Sequence, residues 1–313
     1  MTMSLTDVSL FDNLSWFERL CRKFTLNFIS QLRHGDITLV EGNQRIRLGD
    51  EQAALKVVIT VLDPAFYQKM VVAGSVGAGE AYILGWWRCD DLTALVRIFA
   101  LNLTTLDKLD SAISRLGRPL LKLLNWRNRN TKTQARKNIA AHYDLGNDMY
   151  SLFLDDSMMY SSAVYPDHNA DLAQAQQYKL KLICDRLQLN ADDHLLEIGT
   201  GWGAMAIYAV QNYGCKVTTT TISEQQYEYA TARIKALGLQ DSITVLLSDY
   251  RDLSGQFDKL VSIEMIEAVG HEYLPGFFKK LESLLKPEGR MLLQAITISD
   301  QRYDSYRKSV DFI

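Results

Sequence analysis

The feature that most constrains the fold is the stretch 195–210, which reads LLEIGTGWGAMAIYAV. Apolar residues lead up to Glu197, glycines follow at Gly199, Gly201 and Gly203, and the apolar spacing then becomes helical. Glycine adopts positive φ in a tight turn and lets a ligand approach the backbone closely. The first N–H groups of the following helix point into that turn. The stretch therefore predicts a first parallel strand with a nucleotide-type ligand at its carboxyl end.

The spacing of the glycines argues against a dinucleotide site. NAD-binding turns have the pattern G-x-G-x-x-G and an acidic residue about 20 positions further on, which binds the ribose. Here the spacing is G-x-G-x-G, and the stretch Val217 to Ile222 offers threonines instead of an acid. The pattern E-x-G-x-G-x-G is similar to the first motif of class I S-adenosylmethionine (SAM) methyltransferases.

The region from residue 138 onward alternates strand and helix patterns, which indicates an α/β domain with a doubly wound parallel sheet. The predicted strands are His194–Ile198, Lys216–Thr220, Ile243–Leu247, Lys259–Ile263 and Arg290–Ile296. The predicted helices are 167–187, 202–213, 224–237 and 274–285. Ser223 and Gln226 have the spacing of a capping box for the helix at 224.

The first 110 residues predict a small α+β domain without a catalytic constellation of its own. Apolar spacing predicts a helix over 14–32, and a second helix runs from Pro64 to about Val72. Short strands are predicted at Asp36–Val40, Arg45–Leu48 and Leu55–Leu62. A helical pattern, and not a strand, precedes the glycines of 74–80, so a turn with close backbone packing is favoured over a second nucleotide loop. Trp86 and Trp87 are expected in a core or interface.

A basic segment, residues 111–137, separates the two predicted domains. No acidic residue lies between Asp110 and Asp144. Its basic residues are Arg115, Arg118, Lys122, Arg127, Arg129, Lys132, Arg136 and Lys137, with leucines and Trp126 among them. The segment is either a solvated linker or a contact with an anionic membrane surface, which attracts each nearby cation by roughly 1 kcal/mol. Nucleic acid is disfavoured, because the net charge of the whole chain is −3.

The distribution of cysteine and apolar residues predicts a cytoplasmic protein that reaches a membrane from outside. Cys21, Cys89, Cys184 and Cys215 are scattered and give neither a metal-binding spacing nor a disulfide framework. The N-terminus lacks the continuous apolar core of a signal peptide. No run of 18 apolar residues that could span a bilayer is present. We therefore expect no metal, and a peripheral location at the inner membrane surface if the substrate is a lipid.

Six motifs in order resemble the cyclopropane-fatty-acyl-phospholipid synthase family, which includes the mycolic acid cyclopropane synthases. They are His142-Tyr-Asp-Leu-Gly-Asn-Asp-Met-Tyr, Met159-Tyr-Ser-Ser-Ala-Val-Tyr, the glycine stretch, Thr221-Ile-Ser-Glu-Gln-Gln, Asp249-Tyr-Arg-Asp-Leu and Met265-Ile-Glu-Ala-Val-Gly. The N-terminal run GSVGAGEAY, followed by GWW, is similar to the longer bacterial and plant members. The resemblance implies a class I SAM-methyltransferase fold and covers nearly the whole chain.

The resemblance also implies the chemistry. SAM methylates the cis double bond of an unsaturated acyl chain in a membrane phospholipid, and the enzyme contributes mainly alignment and desolvation. A base then removes a proton from the new methyl group, and a cyclopropane ring closes. In the family this base is taken to be a bicarbonate ion in a cage of backbone and side-chain groups. A homodimer is implied by the resemblance alone.

Site residues carry over from the family motifs position by position. The positions matched to SAM contacts are Tyr160, Ser161, Glu197, Gly199, Gly201, Gly203, Thr221, Gln226, Asp249, Tyr250 and Arg251, with Glu197 orienting the turn. Gln226 has a second interpretation as a helix cap. Glu267 matches the carboxylate of the bicarbonate site, and Ile296 matches a backbone contact there. His142 matches the H-Y-D motif, where an ordering or packing role is favoured over acid–base work.

Three departures from the family leave alternatives open. Ser162 stands where the cage has cysteine, and Gln294 stands where it has histidine, so methylation without ring closure is a second hypothesis. Family members also continue beyond the position of Ile313, into the cage tyrosine and the last two strands of the sheet. We therefore expect a fragment or truncated product with little or no activity. A non-catalytic SAM- or lipid-binding protein is the alternative from another class, and a methyltransferase of small amines is a weaker one.

Overall fold

The structure is a computed structural model of the 313-residue chain, and it describes residues 11, 13–103 and 146–307. The chain forms two compact units, one N-terminal and one C-terminal. The predicted domain boundaries at 110 and 137, the basic segment 111–137 and His142 lie outside the described residues. Within the described ranges, none of the helices combines the length and apolar character that crossing a bilayer requires.

The N-terminal unit packs helices against a four-stranded mixed sheet. Its elements are α1 (Trp16–Ile29), β1 (Asp36–Glu41), β2 (Gln44–Gly49), β3 (Lys56–Val61), α2 (Ala65–Ile83), β4 (Trp87–Cys89) and α3 (Leu92–Leu101). The strand order is β2-β1-β3-β4. The pair β1 and β3 is parallel, and the outer pairs are antiparallel. The core contains Ile37, Leu39, Tyr67 and Ile98, each fully buried, and this unit agrees with the predicted small α+β fold.

The predicted turn at residues 74–80 is reduced to a kink at Gly74, and helical geometry resumes after it. Helix α2 continues to Ile83, and the helical geometry is interrupted only at Gly74, which has φ 57°. The predicted close backbone approach does occur at Gly77, where an added Cβ would lie 2.1 Å from the carbonyl oxygen of Lys69. Trp87 is buried in the core as expected. The short strand β4 and helix α3 were not predicted.

The C-terminal unit is a doubly wound α/β domain, which confirms the predicted fold class. Its elements are α4 (Asn147–Ser151), α5 (Leu172–Leu187), β5 (His194–Ile198), α6 (Ala204–Tyr213), β6 (Lys216–Thr221), α7 (Glu224–Ala236), β7 (Ile243–Leu247), β8 (Phe257–Ile263), α8 (Leu274–Leu284), β9 (Leu285–Gln294) and α9 (Asp300–Tyr306). Short 3₁₀ helices cover Tyr250–Asp252, Ile266–Ala268 and His271–Tyr273. The strand order is β7-β6-β5-β8-β9, and every pair is parallel.

Both faces of this sheet are buried, which explains the continuous apolar runs of its strands. Leu195 packs in a core cluster with residues of α5, α6 and α7, whereas its neighbour Leu196 packs in a second cluster with Phe277 of α8. Successive side chains of a strand point to opposite faces, and helices cover each face. The strand order reverses at β5, so the crevice beyond the carboxyl ends of β5 and β8 is the expected ligand site.

The predicted boundaries differ from the observed ones mainly at β9 and α5. The strands β5 and β7 have the predicted ends, but β9 runs from Leu285 to Gln294, so Ile296 follows the strand and does not lie in it. Among the described strands, β9 lies at one edge of the sheet. Helix α5 begins only at Leu172, because Asp171 and Gln174 form a capping box there.

Candidate functional site

The glycine turn lies between β5 and α6 and requires glycine at all three positions. Gly199, Gly201 and Gly203 have φ values of 100°, 53° and 90°, a region that side-chain-bearing residues rarely adopt. The N–H groups of Gly199 and Thr200 donate to the carbonyl oxygen of Thr220, at 3.1 and 3.0 Å, and fix the turn to β6. A Cβ added at Gly201 would meet no atom within 4 Å. The turn therefore presents open backbone at Gly201, where a ligand can approach.

Glu197 lies beneath the glycine turn and does not face open space. Its side chain is buried, and its Oε2 accepts a hydrogen bond of 2.7 Å from Thr219 Oγ1. The Thr219 hydroxyl also lies 2.7 Å from the hydroxyl of Thr200, which belongs to the turn. Burial raises the pKa of Glu197 to about 8, and the hydrogen bond from Thr219 opposes this rise. Glu197 thus holds the turn through two threonines.

Thr221 ends β6, and Gln226 lies in the first turn of α7 beside it; both are buried. Ser223 caps α7, because its Oγ accepts from the N–H of Gln226 at 3.3 Å. The reciprocal half of the predicted capping box is wrong: the Gln226 carboxamide oxygen accepts from Thr221 Oγ1 at 2.8 Å, and the N–H of Ser223 donates to Thr221 instead. The Gln226 side chain is therefore held at the strand end and not at the helix cap.

An ion pair between Asp249 and Arg251 lies just beyond the carboxyl end of β7. The Nε and Nη2 atoms of Arg251 donate to Asp249 at 2.8 and 2.6 Å, and Asp249 also accepts from the N–H of Arg251. Asp249 is buried, whereas Arg251 is partly exposed. The ring of Tyr250 packs edge-on against Phe277 of the core, at 5.3 Å, and the Arg251 guanidinium lies over it. The pair holds Asp249 rigidly at this edge of the sheet.

Lys179 of α5, which sequence reasoning missed, holds the segment 161–162. Its Nζ donates to Ser161 Oγ at 2.8 Å and to the carbonyl oxygens of Ser161 and Ser162 at 3.2 and 2.9 Å. Lys179 is 1% exposed. Burial lowers its pKa to about 8, and the carboxylates of Glu264 and Asp155 oppose the fall. A buried ammonium thus fixes the backbone that leads out of Tyr160.

An aromatic cluster lies next to the glycine turn. Trp202 of the turn packs 4.8 Å from the ring of Tyr150, and Tyr160 packs edge-on against Tyr150 at 5.4 Å. Trp202 Nε1 donates to Asn147 Oδ1 at 2.7 Å, which ties the turn to α4. Tyr150 and Trp202 are buried, whereas Tyr160 is 45% exposed. Trp202 stands inside the glycine stretch and Tyr150 ends the motif that begins at His142, so both residues lie in recognised motifs, but the contact between them was not predicted.

Glu264, also missed, joins the ends of β8 and β9 to the segment 161–162. It follows β8 directly and has φ 48°, a left-handed conformation that costs a non-glycine residue about 1–2 kcal/mol. Its Oε1 accepts from the N–H of Ser162 at 3.0 Å and from Gln294 Nε2 at 2.8 Å. Gln294 also donates to the Ser162 carbonyl at 3.1 Å. Strained residues concentrate at functional sites. The sequence signal was an acid directly after a predicted strand.

Glu267 lies in the 3₁₀ helix that follows, and its Oε1 accepts from the N–H of Ile296 at 2.5 Å. Both residues are exposed. The structure therefore brings four sequence-predicted residues together in two hydrogen-bonded pairs, Ser162 with Gln294 and Glu267 with Ile296. Among the described residues, no group of acidic, histidine and cysteine side chains could hold a metal ion.

The predicted site residues that the structure describes lie at the carboxyl edge of the sheet or on the segment beside it. A Cβ added at Gly199 would lie 3.5 Å from Met265, the residue after Glu264. The glycine turn is therefore in contact with the segment that carries both glutamates. An open glycine backbone, buried polar groups and an aromatic wall suit a nucleoside-type ligand, and the adjacent carboxylates can accept a proton beside it.

Comparison with known proteins places the chain in a family. The sequence model described as "Mycolic acid cyclopropane synthetase" matches residues 130–313. The cyclopropane-fatty-acyl-phospholipid synthase of Escherichia coli (strain K12) is 40% identical over 240 residues, which are 76% of this chain and 60% of that protein. The tuberculostearic acid methyltransferase UfaA1 of Mycobacterium tuberculosis is 37% identical over 249 residues, 77% of this chain and 57% of that protein.

A solved structure gives the same relationship. The cyclopropane synthase MmaA2 from Mycobacterium tuberculosis is 30% identical, superposes with a TM-score of 0.52, and is matched over 56% of this chain and 62% of that one. The C-terminal unit has the class I SAM-methyltransferase fold. The chain spans about 60% of the length of the curated relatives it matches. It belongs to the mycolic acid cyclopropane synthetase family.

Proposed function

We propose that the chain is a SAM-dependent methyltransferase that adds a methylene group across the cis double bond of unsaturated acyl chains in membrane phospholipids. One observation carries the proposal. The residues matched to the family's ring-closing cage are hydrogen-bonded neighbours at the sheet edge, as in Ser162 with Gln294 and Glu267 with Ile296. This edge adjoins the glycine turn through Gly199 and Met265. Methyl donor and proton acceptor can therefore lie side by side.

The residues present fit SAM as the co-substrate. The open backbone at Gly201 and the N-terminus of α6 suit its polar groups, and Thr221, Gln226 and Asp249 offer fixed polar atoms at the next two strand ends. Glu197 supports the turn from beneath through its hydrogen bond from Thr219. When bound, SAM supplies an electrophilic methyl group. Tyr160, Ser161 and the cluster of Tyr150 and Trp202 would bound its site and exclude water.

Bicarbonate, which the resemblance implies, fits these residues poorly. The donors that would hold it are the N–H groups of Ser162 and Ile296 and the side chain of Gln294. Glu264 accepts from Ser162 and Gln294, and Glu267 accepts from Ile296. The carboxylates of Glu264 and Glu267 would repel a further anion such as bicarbonate. We therefore assign no step of the reaction to bicarbonate.

Methylation without ring closure is the second candidate function. Gln294 favours it, because a carboxamide cannot carry the proton that the histidine of the family cage can. A relative, the tuberculostearic acid methyltransferase of Mycobacterium tuberculosis, is named for a methyltransferase activity. In that case the first step is unchanged, and the product is a branched or methylene-bearing chain.

Access to phospholipid requires contact with a membrane surface, and we propose that the basic segment 111–137 provides it. Eight cations within this segment would attract anionic headgroups. Leu152 and Phe153, 85% and 51% exposed, lie beside the aromatic cluster and offer apolar surface to an acyl chain. This predicts a peripheral protein at the inner membrane surface, and a homodimer is compatible with it. Sedimentation with anionic vesicles should fall steeply as salt rises.

The test is mass spectrometry of phospholipid fatty acids from cells that lack their own cyclopropane synthase. The 313-residue chain is expressed beside a version extended with the C-terminal region of the Escherichia coli relative. Gly199→Ala in each serves as a control deficient in SAM binding. We expect fatty acids heavier by one CH₂ unit that resist hydrogenation.

The pattern of products separates the candidates. A product that has gained a methyl group and a hydrogen points to methylation with reduction. A product heavier by one CH₂ unit that still takes up hydrogen points to a methylene-bearing or branched alkene. No product from either version, with SAM binding retained, contradicts the proposal and favours a non-catalytic SAM- or lipid-binding protein.

A further inference from the structure

The carboxylate of Glu264 occupies the hydrogen-bond donors that the family cage offers to an anion. Its Oε1 lies 3.0 Å from the N–H of Ser162 and 2.8 Å from Gln294 Nε2. Both are positions that the resemblance assigns to the cage. The chain thus fills with its own side chain a place that would otherwise need a dissolved anion.

The geometry of Glu264 leaves one oxygen available. Both hydrogen bonds end on Oε1, and within the described residues no hydrogen bond reaches Oε2. The Glu264 side chain is half-buried. The backbone is pinned, because the N–H of Glu264 donates to the carbonyl oxygen of Gln294 at 2.9 Å.

A buried cation lies close enough to Glu264 to interact with it. The ammonium of Lys179 interacts electrostatically with Glu264 and contacts the carbonyl oxygen of Ser162. The neighbouring residue Met265 is in van der Waals range of a Cβ built on Gly199, so Glu264 stands next to the glycine turn. Glu264 has a left-handed backbone conformation, and glycine at this position would relieve its strain. A strained acid beside a methyl-donor site is consistent with a chemical role.

We propose that the Glu264 carboxylate replaces bicarbonate and is the base that accepts the ring-closing proton, an assignment that rests on the proposed function. The alkene π electrons form a bond to the methyl carbon of SAM, and the C–S bond breaks with its electron pair left on sulfur. The C–H electron pair of the new methyl group then bonds to the cationic carbon. Oε2 of Glu264 takes the released proton and later passes it to water.

The first test is binding of ¹³C-bicarbonate, followed by NMR, to the 313-residue chain and to Glu264→Gly, both loaded with SAM. We expect no specific binding to the wild-type chain and saturable binding to the glycine variant, in which the donors of Ser162 and Gln294 are released. Glu282→Gln, at an exposed position of α8, is the control and should behave as wild type. Saturable binding to the wild-type chain would overturn the proposal.

The second test is turnover in buffer freed of carbon dioxide, with SAM affinity measured alongside. Wild-type ring formation should not respond to added bicarbonate. In Glu264→Gln the rate of ring formation should fall about 100-fold or more, which is within the range of general-base contributions. Glu264→Gly should recover activity only when bicarbonate is added. Retained ring closure in Glu264→Gln together with its loss in Glu267→Gln would transfer the role to Glu267 and overturn the proposal.

The two tests also separate this inference from the proposed function. A wild-type chain and an extended version that bind SAM but methylate no lipid would contradict the proposed function. The bicarbonate titration then decides by itself whether Glu264 fills the anion site. If Glu264→Gln fails to fold, the wild-type titration and Glu264→Gly still decide the question, since glycine relieves the strained backbone.

Discussion

Replacing Lys179 with methionine should have little effect on stability at neutral pH and a growing effect as pH rises. Methionine keeps most of the buried volume but removes three hydrogen bonds to Ser161 and Ser162. Each carbonyl keeps a second donor, Gln176 for Ser161 and Gln294 for Ser162. The loss is therefore at the low end for such bonds, about 1 kcal/mol each and about 3 kcal/mol in all.

The burial of the ammonium offsets this loss. Burial lowers the pKa of Lys179 from 10.5 to about 8, which corresponds to a penalty of about 3 kcal/mol for the charged form. Methionine removes that penalty. Below pH 8 lysine is charged in both the folded and the unfolded state, so the two contributions nearly cancel. We expect a change in the free energy of unfolding of about 1 kcal/mol or less at pH 7.

Above pH 8 the cancellation ends. Between pH 8 and 10.5 the unfolded chain binds the lysine proton and the folded chain does not, so the stability of the wild type rises with pH relative to Lys179→Met. The difference should reach about 3 kcal/mol near pH 10.5. Urea unfolding at several pH values measures it.

The control is Lys181→Met, two residues along the same helix. Lys181 is 60% exposed and pairs with Asp185. A hydrogen bond from Lys181 to Asp185 raises its pKa, so its contribution declines with rising pH, opposite in sign to that of Lys179. A difference between wild type and Lys179→Met that is independent of pH, or a loss of more than about 5 kcal/mol at pH 7, would refute the reasoning. SAM affinity should also fall about 10-fold in Lys179→Met, because the segment after Tyr160 loses its anchor.

Three further substitutions test the glycine turn and its neighbours. Gly199→Ala should lower stability by about 1–3 kcal/mol and SAM affinity, measured by calorimetry, by at least about 10-fold. The cause is φ 100°, which suits glycine alone, and not a clash of the added Cβ with Met265. Unchanged stability and affinity would disprove this. The free energy of unfolding of Glu197→Gln should equal that of the wild type near pH 5 and exceed it by about 3–5 kcal/mol near pH 8. The reason is that the pKa of Glu197 is about 8 in the folded state, so wild-type stability is lost as pH rises from 4.5 to 8. Thermal unfolding curves that stay parallel across this window would contradict it. Asp249→Asn should lower the affinity for SAM about 10-fold by releasing Arg251, without abolishing folding. An unchanged affinity would show that Asp249 does not contribute to the SAM site.

The strands and the turn around the three glycines could be predicted because the apolar pattern and the turn residues indicate the same boundaries there. Apolar runs bounded by turn residues gave β5 and β7 with their observed ends, and the three glycines gave the turn. The helix α2 was cut short because Gly74 breaks a helical pattern, yet the chain tolerates one non-helical residue and resumes. The end of β9 was misplaced because Ile296 continues an apolar pattern after the pairing with β8 has ended.

The site was predicted where motifs carry it and missed where long-range contacts create it. Lys179 looks like the polar side of an amphipathic helix, and only its contact with carbonyls 17 and 18 positions earlier reveals a buried cation. Glu264 precedes a recognised motif by one residue, and its importance depends on Ser162 and Gln294, which are far away in the sequence. Its position at the end of a predicted parallel strand was the signal that could have found it.

Cyclopropane formation from SAM can be followed directly through the methyl group that SAM donates. The 313-residue chain and the extended version are each incubated with SAM carrying a trideuterated methyl group and with vesicles of unsaturated phospholipid, and the fatty acids are analysed by mass spectrometry. We expect a cyclopropane that retains two of the three deuterons, the third having left as the ring closed. A product that retains all three deuterons, or no labelled lipid from either version, would contradict it.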